Sequence, residues 1–163
     1  MASSPAILID LNILLDVLQK REPFYKASAE LLAEVETGRV EGFIAAHSVT
    51  TLFYLIQKGN SPADARATIT NLLQFIKILP VDQNTIEQAL NLNFRDFEDA
   101  VQMICAVQRK VDCLITRNIK DYQPALLPVM QPVDFLETLW LIKEFTLRPK
   151  DMFIRCFTFS TLK

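Results

Sequence analysis

Three stretches of this chain carry acidic side chains where a fold of alternating strands and helices would gather them. The first is Asp10, which ends the apolar run Pro5-Ala6-Ile7-Leu8-Ile9 two residues before Asn12. The second is Phe94-Arg95-Asp96-Phe97-Glu98-Asp99-Ala100, and the third is Thr116-Arg117-Asn118-Ile119-Lys120-Asp121-Tyr122. An apolar run without alternation reads as a short parallel strand buried on both faces. In open α/β sheets, ligands bind beyond the carboxyl ends of such strands. A carboxylate buried there is costly unless it is paired or holds a cation. On a helix, Asp96 and Asp99 are three residues apart and share a face, with Glu98 expected to point elsewhere. Asp10, Asp99 and Asp121 then converge at one sheet edge.

Converging carboxylates repel one another, and a divalent cation removes the conflict. All-oxygen donors suit Mg²⁺ or Mn²⁺, which keep some of their water. Such an ion activates water and stabilises charge on a phosphoryl oxygen. Acids on three elements, with no cysteine or histidine among them, fit phosphodiester hydrolysis better than zinc chemistry. Simpler roles stand beside this one. Asp96 is a natural N-cap, with Asp99 at N3 near the positive end of the helix dipole. Asp10 and Asp121 have readings as turn acids, and Asn12 has one as an Asx turn.

The surrounding elements alternate. After the first strand a helical stretch runs through Leu18, and Arg21-Glu22-Pro23 forms a turn. Phe24 to Thr37 has helical spacing and stops at Gly38. Gly42 to Ala46 is a second strand, and Ser48 is a candidate cap for the helix that follows. Ser61-Pro62 opens another helix, with proline at the favoured first position. Ile76 to Val81 is a third strand, and Asn84 to Leu92 and Phe97 to Lys110 are helical. Cys113 to Thr116 is a fourth strand, Val129-Met130 a short last one, and Pro132 starts a final helix. This βα alternation predicts a three-layer α/β domain around a mainly parallel sheet.

The chain has 163 residues, half of them hydrophobic and 22% charged, which is the composition of a globular domain. The net charge of -2 excludes overall basicity as a means of holding nucleic acid. Cys105, Cys113 and Cys156 are too far apart for a zinc site or a disulfide framework and read as reduced thiols of a cytoplasmic protein. The N-terminal apolar stretch is cut by Asp10, Asn12 and Asp16 and has no basic flank, so no signal peptide is expected. No apolar run approaches the roughly 20 residues that span a bilayer. The expected division is a domain over residues 1–142 and an extension over 143–163. That extension holds Phe145, Phe153, Phe157 and Phe159. Its five basic residues against two acids give it +3 and leave -5 for the rest. So many aromatics predict packing on the domain or on a partner chain.

These motifs, taken in order, resemble the PIN domain, the nuclease fold of VapC-type toxins. Ile7-Leu8-Ile9-Asp10-Leu11-Asn12-Ile13-Leu14-Leu15-Asp16 is similar to the family's opening strand. Arg21-Glu22-Pro23-Phe24, Ser48-Val49-Thr50-Thr51-Leu52-Phe53-Tyr54-Leu55, Asp96-Phe97-Glu98-Asp99-Ala100 and Thr116 to Tyr122 follow it, covering roughly residues 5 to 137. The resemblance implies a three-layer α/β/α fold and an Mg²⁺- or Mn²⁺-dependent ribonuclease, often dimeric and often paired with an antitoxin. It implies Asp10 and Asp99 as core metal-binding acids and Asp121 as a later one. Asn12 and Thr116 would orient site groups, and Arg117 or Lys120 would contact phosphate, with Arg95 also beside the acids. The chain departs from the pattern in three places. Thr51 stands where the family usually has a glutamate, Leu11 replaces the usual threonine, and Asn118 sits where many members have an acid. Asp96 and Asp121 are the acids placed to compensate.

Two functions follow from these residues: a metal-dependent endoribonuclease of toxin type, or a catalytically impaired PIN-like module that binds RNA or protein. A phosphotransfer or phosphatase domain with Asp10 as nucleophile ranks below both, because the Asp96–Asp99 and Thr116–Asp121 segments fit the nuclease pattern better.

Overall fold

The structure, a computed structural model, describes residues 4–147, with side chains described as far as Leu141. Five parallel strands form one sheet in the order β3-β2-β1-β4-β5. They are β1 (Ala6–Ile9), β2 (Glu41–Ala45), β3 (Ile76–Leu79), β4 (Cys113–Ile115) and β5 (Val129–Met130). Leu8 pairs with Phe43 on one side and Leu114 on the other, so β1 is the central strand. That is why its residues are apolar without alternation: Ile7, Leu8 and Ile9 are all fully buried.

Two helical layers cover the sheet. Ile7, Ile9, Ile44 and Ile115 face α1 (Leu11–Leu18), α2 (Tyr25–Glu36), α3 (Ala46–Gly59), α4 (Pro62–Leu72) and α7 (Pro132–Leu147). These helices bring Ile13, Leu31, Leu52, Ala65 and Phe135 into that layer. Leu8, Phe43 and Leu114 face α5 (Gln83–Leu90) and α6 (Phe97–Arg109), packed on Ala89, Met103 and Ile104. The three-layer expectation holds. Among the described residues no helix is long and apolar enough to cross a membrane. Cys105 and Cys113 are buried and free.

Local chemistry sets the boundaries. Ser61 caps α4, its hydroxyl accepting from the Asp64 amide at 3.1 Å, with Pro62 at N1. Gly38 follows α2 at φ +73°, a conformation that favours a residue without Cβ. The cap expected of Ser48 is absent. β2 passes directly into α3 through Ala45, which places Ser48 inside the helix and fully buried. α7 continues to Leu147, across the boundary expected at residue 142. The packing expected of residues 148–163 lies outside the described residues.

Strand order decides where a site can form. The chain builds β1, β2 and β3 outward in one direction, then returns to place β4 on the other side of β1. The carboxyl ends of β1 and β4 therefore border the switch point, where the helices diverge and leave a crevice.

Candidate active site

Asp10 leaves β1 at this crevice. Its amide donates to Ile115 O at 2.9 Å, which continues the strand pairing by one residue. Its backbone stays extended while α1 begins at Leu11, so the carboxylate turns back over the helix start and accepts from the Asn12 amide at 3.4 Å. Thr116, the residue after β4, donates its hydroxyl to Asp10 Oδ2 at 2.8 Å. The same oxygen of Thr116 accepts from the Asn118 amide at 3.1 Å. Asn12 Nδ2 lies 3.4 Å from Asp10 Oδ2. Asp10 and Thr116 are both buried. Hydroxyl, amide and side-chain donors together make a buried carboxylate tolerable.

The opposite wall is α6. Asp96 is its N-cap, accepting from the Glu98 amide at 2.8 Å, so the helix proper starts at Phe97. Glu98 and Asp99 occupy the first turn, and Gln102 follows one turn later. The third wall is a 3₁₀ turn, Ile119–Asp121, in which Asn118 Nδ2 donates to Asp121 Oδ2. Tyr122, buried among α6 residues, also lines the cleft. Together these residues line a cleft of about 170 Å³ carrying five carboxylates (Asp10, Asp96, Glu98, Asp99 and Asp121). No basic side chain is among its lining residues.

Electrostatics record the conflict. Burial pushes the Asp99 carboxyl up to about 6; the Tyr122 hydroxyl opposes the rise, and Asp10, Asp96 and Asp121 add to it. Glu98 is raised too, by burial first and then by Asp96 and Asp10. The phenol of Tyr122 is held well above its usual range by burial first and then by Asp10, Asp99 and Glu98. Three buried oxygens at this cleft have no hydrogen-bond partner of good geometry: Glu98 Oε1, Gln102 Oε1 and the Tyr122 hydroxyl. Unsatisfied oxygens beside crowded carboxylates make a donor set suited to a hard divalent cation. Among the described residues, no three acid, histidine or cysteine side chains already close on one point.

Asp10, Asp96, Asp99, Asn118, Asp121, Asn12 and Thr116 thus all border one cleft. Thr51 does not; its hydroxyl turns back along α3 to His47 O at 3.4 Å. Arg95 and Lys120 are exposed and stand outside the lining. Arg117 turns away from the acids. It sits 3.2 Å from Asp16 Oδ1, stacks over Phe24 at 4.5 Å and reaches Asn12 Oδ1 at 3.4 Å. Asp16 is fully buried, and burial raises its carboxyl above the usual range while Arg117 opposes the rise.

Glu98 is a correction. It was expected to point away from Asp96 and Asp99, yet it lines the cleft beside both of them. Asp96 does so as the N-cap, and α6 adds Glu98, Asp99 and, one turn on, Gln102. Gln102 and Tyr122 were missed for lack of a charge. Their signal lay in the spacing, since Gln102 is three and four residues from the two acids.

A family model described as PIN domain matches residues 6–120. Ribonuclease VapC1 of Aquifex aeolicus (strain VF5) is 24% identical over 141 residues, which span 83% of this chain and 96% of that protein. A toxin-antitoxin complex from Klebsiella pneumoniae superposes with a TM-score of 0.60 at 22% identity, covering 77% of this chain and 97% of that one. VapBC2 from Rickettsia felis, bound to a promoter DNA fragment, gives 0.60 at 17% identity over 77% and 98% of the two chains. VapC20 of Mycobacterium tuberculosis, a toxin that cleaves the sarcin-ricin loop, gives 0.54 at 14% identity over 66% and 86%. At these identities the likeness to the solved structures establishes the fold.

Proposed function

The chain belongs to the PIN domain family, and from that membership we propose that it is a metal-dependent endoribonuclease of toxin type, hydrolysing RNA phosphodiesters. The observation that carries the reading is the cleft at the β1–β4 switch point, which five carboxylates line with no basic side chain among the lining residues. Asp10, Asp99 and Asp121, with Asp96, are the residues that would hold Mg²⁺ or Mn²⁺. Bound there, the ion supplies charge neutralisation, a water made acidic enough to attack, and stabilisation of charge on the phosphoryl oxygen.

The remaining roles belong to the chain itself. Thr116 and Asn12 fix the orientation of Asp10. Asn118 holds Asp121 toward the cleft. Tyr122, buried on the inner side of the cleft, excludes solvent there. Arg95 and Lys120, exposed beside the acids, are placed to meet the phosphate backbone, as any RNA contact on an acidic body requires. Arg117 is already engaged by Asp16, so its share in RNA contact falls to the exposed part of its side chain. An antitoxin partner, a homodimer and a cytoplasmic location belong to the same proposal. The first is supported by the toxin-antitoxin assemblies among similar structures.

A second reading has one observation in its favour. α3 brings no carboxylate to the cleft, since Thr51 faces its own helix. A PIN-like module that binds RNA or protein without cleaving would look like this. One experiment separates the two: Mn²⁺ titrated by calorimetry into wild type and Asp99→Asn, with RNA cleavage followed on the same samples. Binding and cleavage in wild type, both lost in the variant, are the expected result. Absence of both in wild type would establish the binding module.

A further inference from the structure

We infer that Glu98 and His47 supply the cation-binding donors that α3 lacks at Thr51, so that the ion in this cleft is held partly by an imidazole nitrogen. The inference rests on the cation-binding reading above and names donors that reading does not use.

Glu98 Oε1 is buried and unpartnered, on the wall of the acid cleft. Its nearest basic atom is His47 Nε2, at 3.6 Å. That is too long for a hydrogen bond. It is close to the separation of two donors on a shared ion: bonds of about 2.1 Å at octahedral or tetrahedral angles put neighbouring donors about 3.0 to 3.4 Å apart. Ser48 Oγ also lies near this nitrogen, at 3.4 Å. His47 Nδ1 is itself buried without a partner.

Position on the helix supports the assignment. His47 lies four residues before Thr51, so both project from one face of α3, with His47 a turn nearer the strand ends. α3 thus reaches the α6 wall with a nitrogen where a carboxylate from Thr51's position would have been needed. Gln102 adds a second unpartnered oxygen to the same wall. It is 2% exposed, its Oε1 has no partner, and it sits four residues after Glu98 on the cleft face of α6. A neutral amide oxygen and an imidazole add donors without adding repulsion to five acids. Nitrogen in the donor set shifts preference from Mg²⁺ toward Mn²⁺ and later metals.

His47 is the sole histidine of the chain, which makes the test unambiguous in tag-free protein. Mn²⁺ is bound to the full chain and its electron-spin-echo modulation recorded. A ¹⁴N coupling of imidazole type is expected, replaced by ¹⁵N coupling when histidine is isotopically labelled. His47→Gln should lose the coupling and about tenfold in Mn²⁺ affinity relative to Mg²⁺. Mn²⁺ bound without nitrogen coupling would overturn the inference and leave the carboxylate site standing. No Mn²⁺ binding at all would overturn both. The labelled wild type decides the matter even where His47→Gln does not fold.

Discussion

Asp99 offers the sharpest test of the electrostatics, because replacing it with asparagine should make the metal-free protein more stable. Its carboxyl titrates near 6 in the folded protein against 3.8 without the fold. The native state therefore holds this proton more tightly than the unfolded chain. Between the two values the folded protein carries more protons, so stability falls as pH rises and the loss is complete above about 6. The full shift corresponds to about 3 kcal/mol, and partial exposure of the cleft to solvent reduces the usable figure to about 1–2. Asparagine keeps the shape but removes the charge. At pH 7.5 in chelator, Asp99→Asn should melt about 2 to 8 °C above wild type, the scale expected for a chain of this length. At pH 4.5 the advantage should shrink to roughly a third, since wild-type Asp99 is then protonated in the folded state. Circular dichroism melts of both proteins at both pH values measure this. An equal gap at the two pH values, or a variant less stable at pH 7.5, would refute the idea that crowded acids are a cost of the empty fold.

Mn²⁺ should raise the melting temperature of wild type in a concentration-dependent manner and leave Asp10→Asn nearly unmoved, because a ligand stabilises the state that binds it; RNA cleavage should vanish in the same variant. Thr116→Val, which takes the 2.8 Å donor from Asp10, should cost about 2 kcal/mol in urea unfolding, as lost hydrogen bonds to charged groups do. Arg117→Ala leaves fully buried Asp16 without its 3.2 Å partner and should cost about 2–4 kcal/mol at pH 7.5, less at pH 5, where Asp16 more readily takes up a proton; equal losses at the two pH values would show that the stack on Phe24 matters more than the charge. Gly42→Ala puts a Cβ 2.5 Å from Val35 Cγ1 and should destabilise by about 1–3 kcal/mol, readable in the same unfolding assay.

Much of the architecture was legible before any coordinates. Apolar runs of three to five residues marked β1, β2 and β4 because a parallel strand between two helical layers has no solvent face to alternate with. Asp10 stood out because an acid at the end of such a run has few cheap explanations. Thr116, Asn118 and Asp121 were legible for a similar reason: they follow another buried strand, whose end lies on the same edge of a parallel sheet as that of β1. Those are local facts of composition and order, and the chain states them directly. The rest depends on where elements meet. Glu98 joined Asp96 and Asp99 at the cleft because the cap and the first turn of α6 both border the crevice, which helical spacing alone does not show. Arg117 went to Asp16 because α1 buries an acid beside the β4 loop, where the guanidinium meets one carboxylate oxygen and Ser28 of α2 the other. His47 met Glu98 because α3 and α6, on opposite layers, both begin at the crevice. Local sequence determined which residues carry charge and which elements carry them. Packing decided which charges face one another, since a few ångströms of separation across that crevice depend on the register of whole helices.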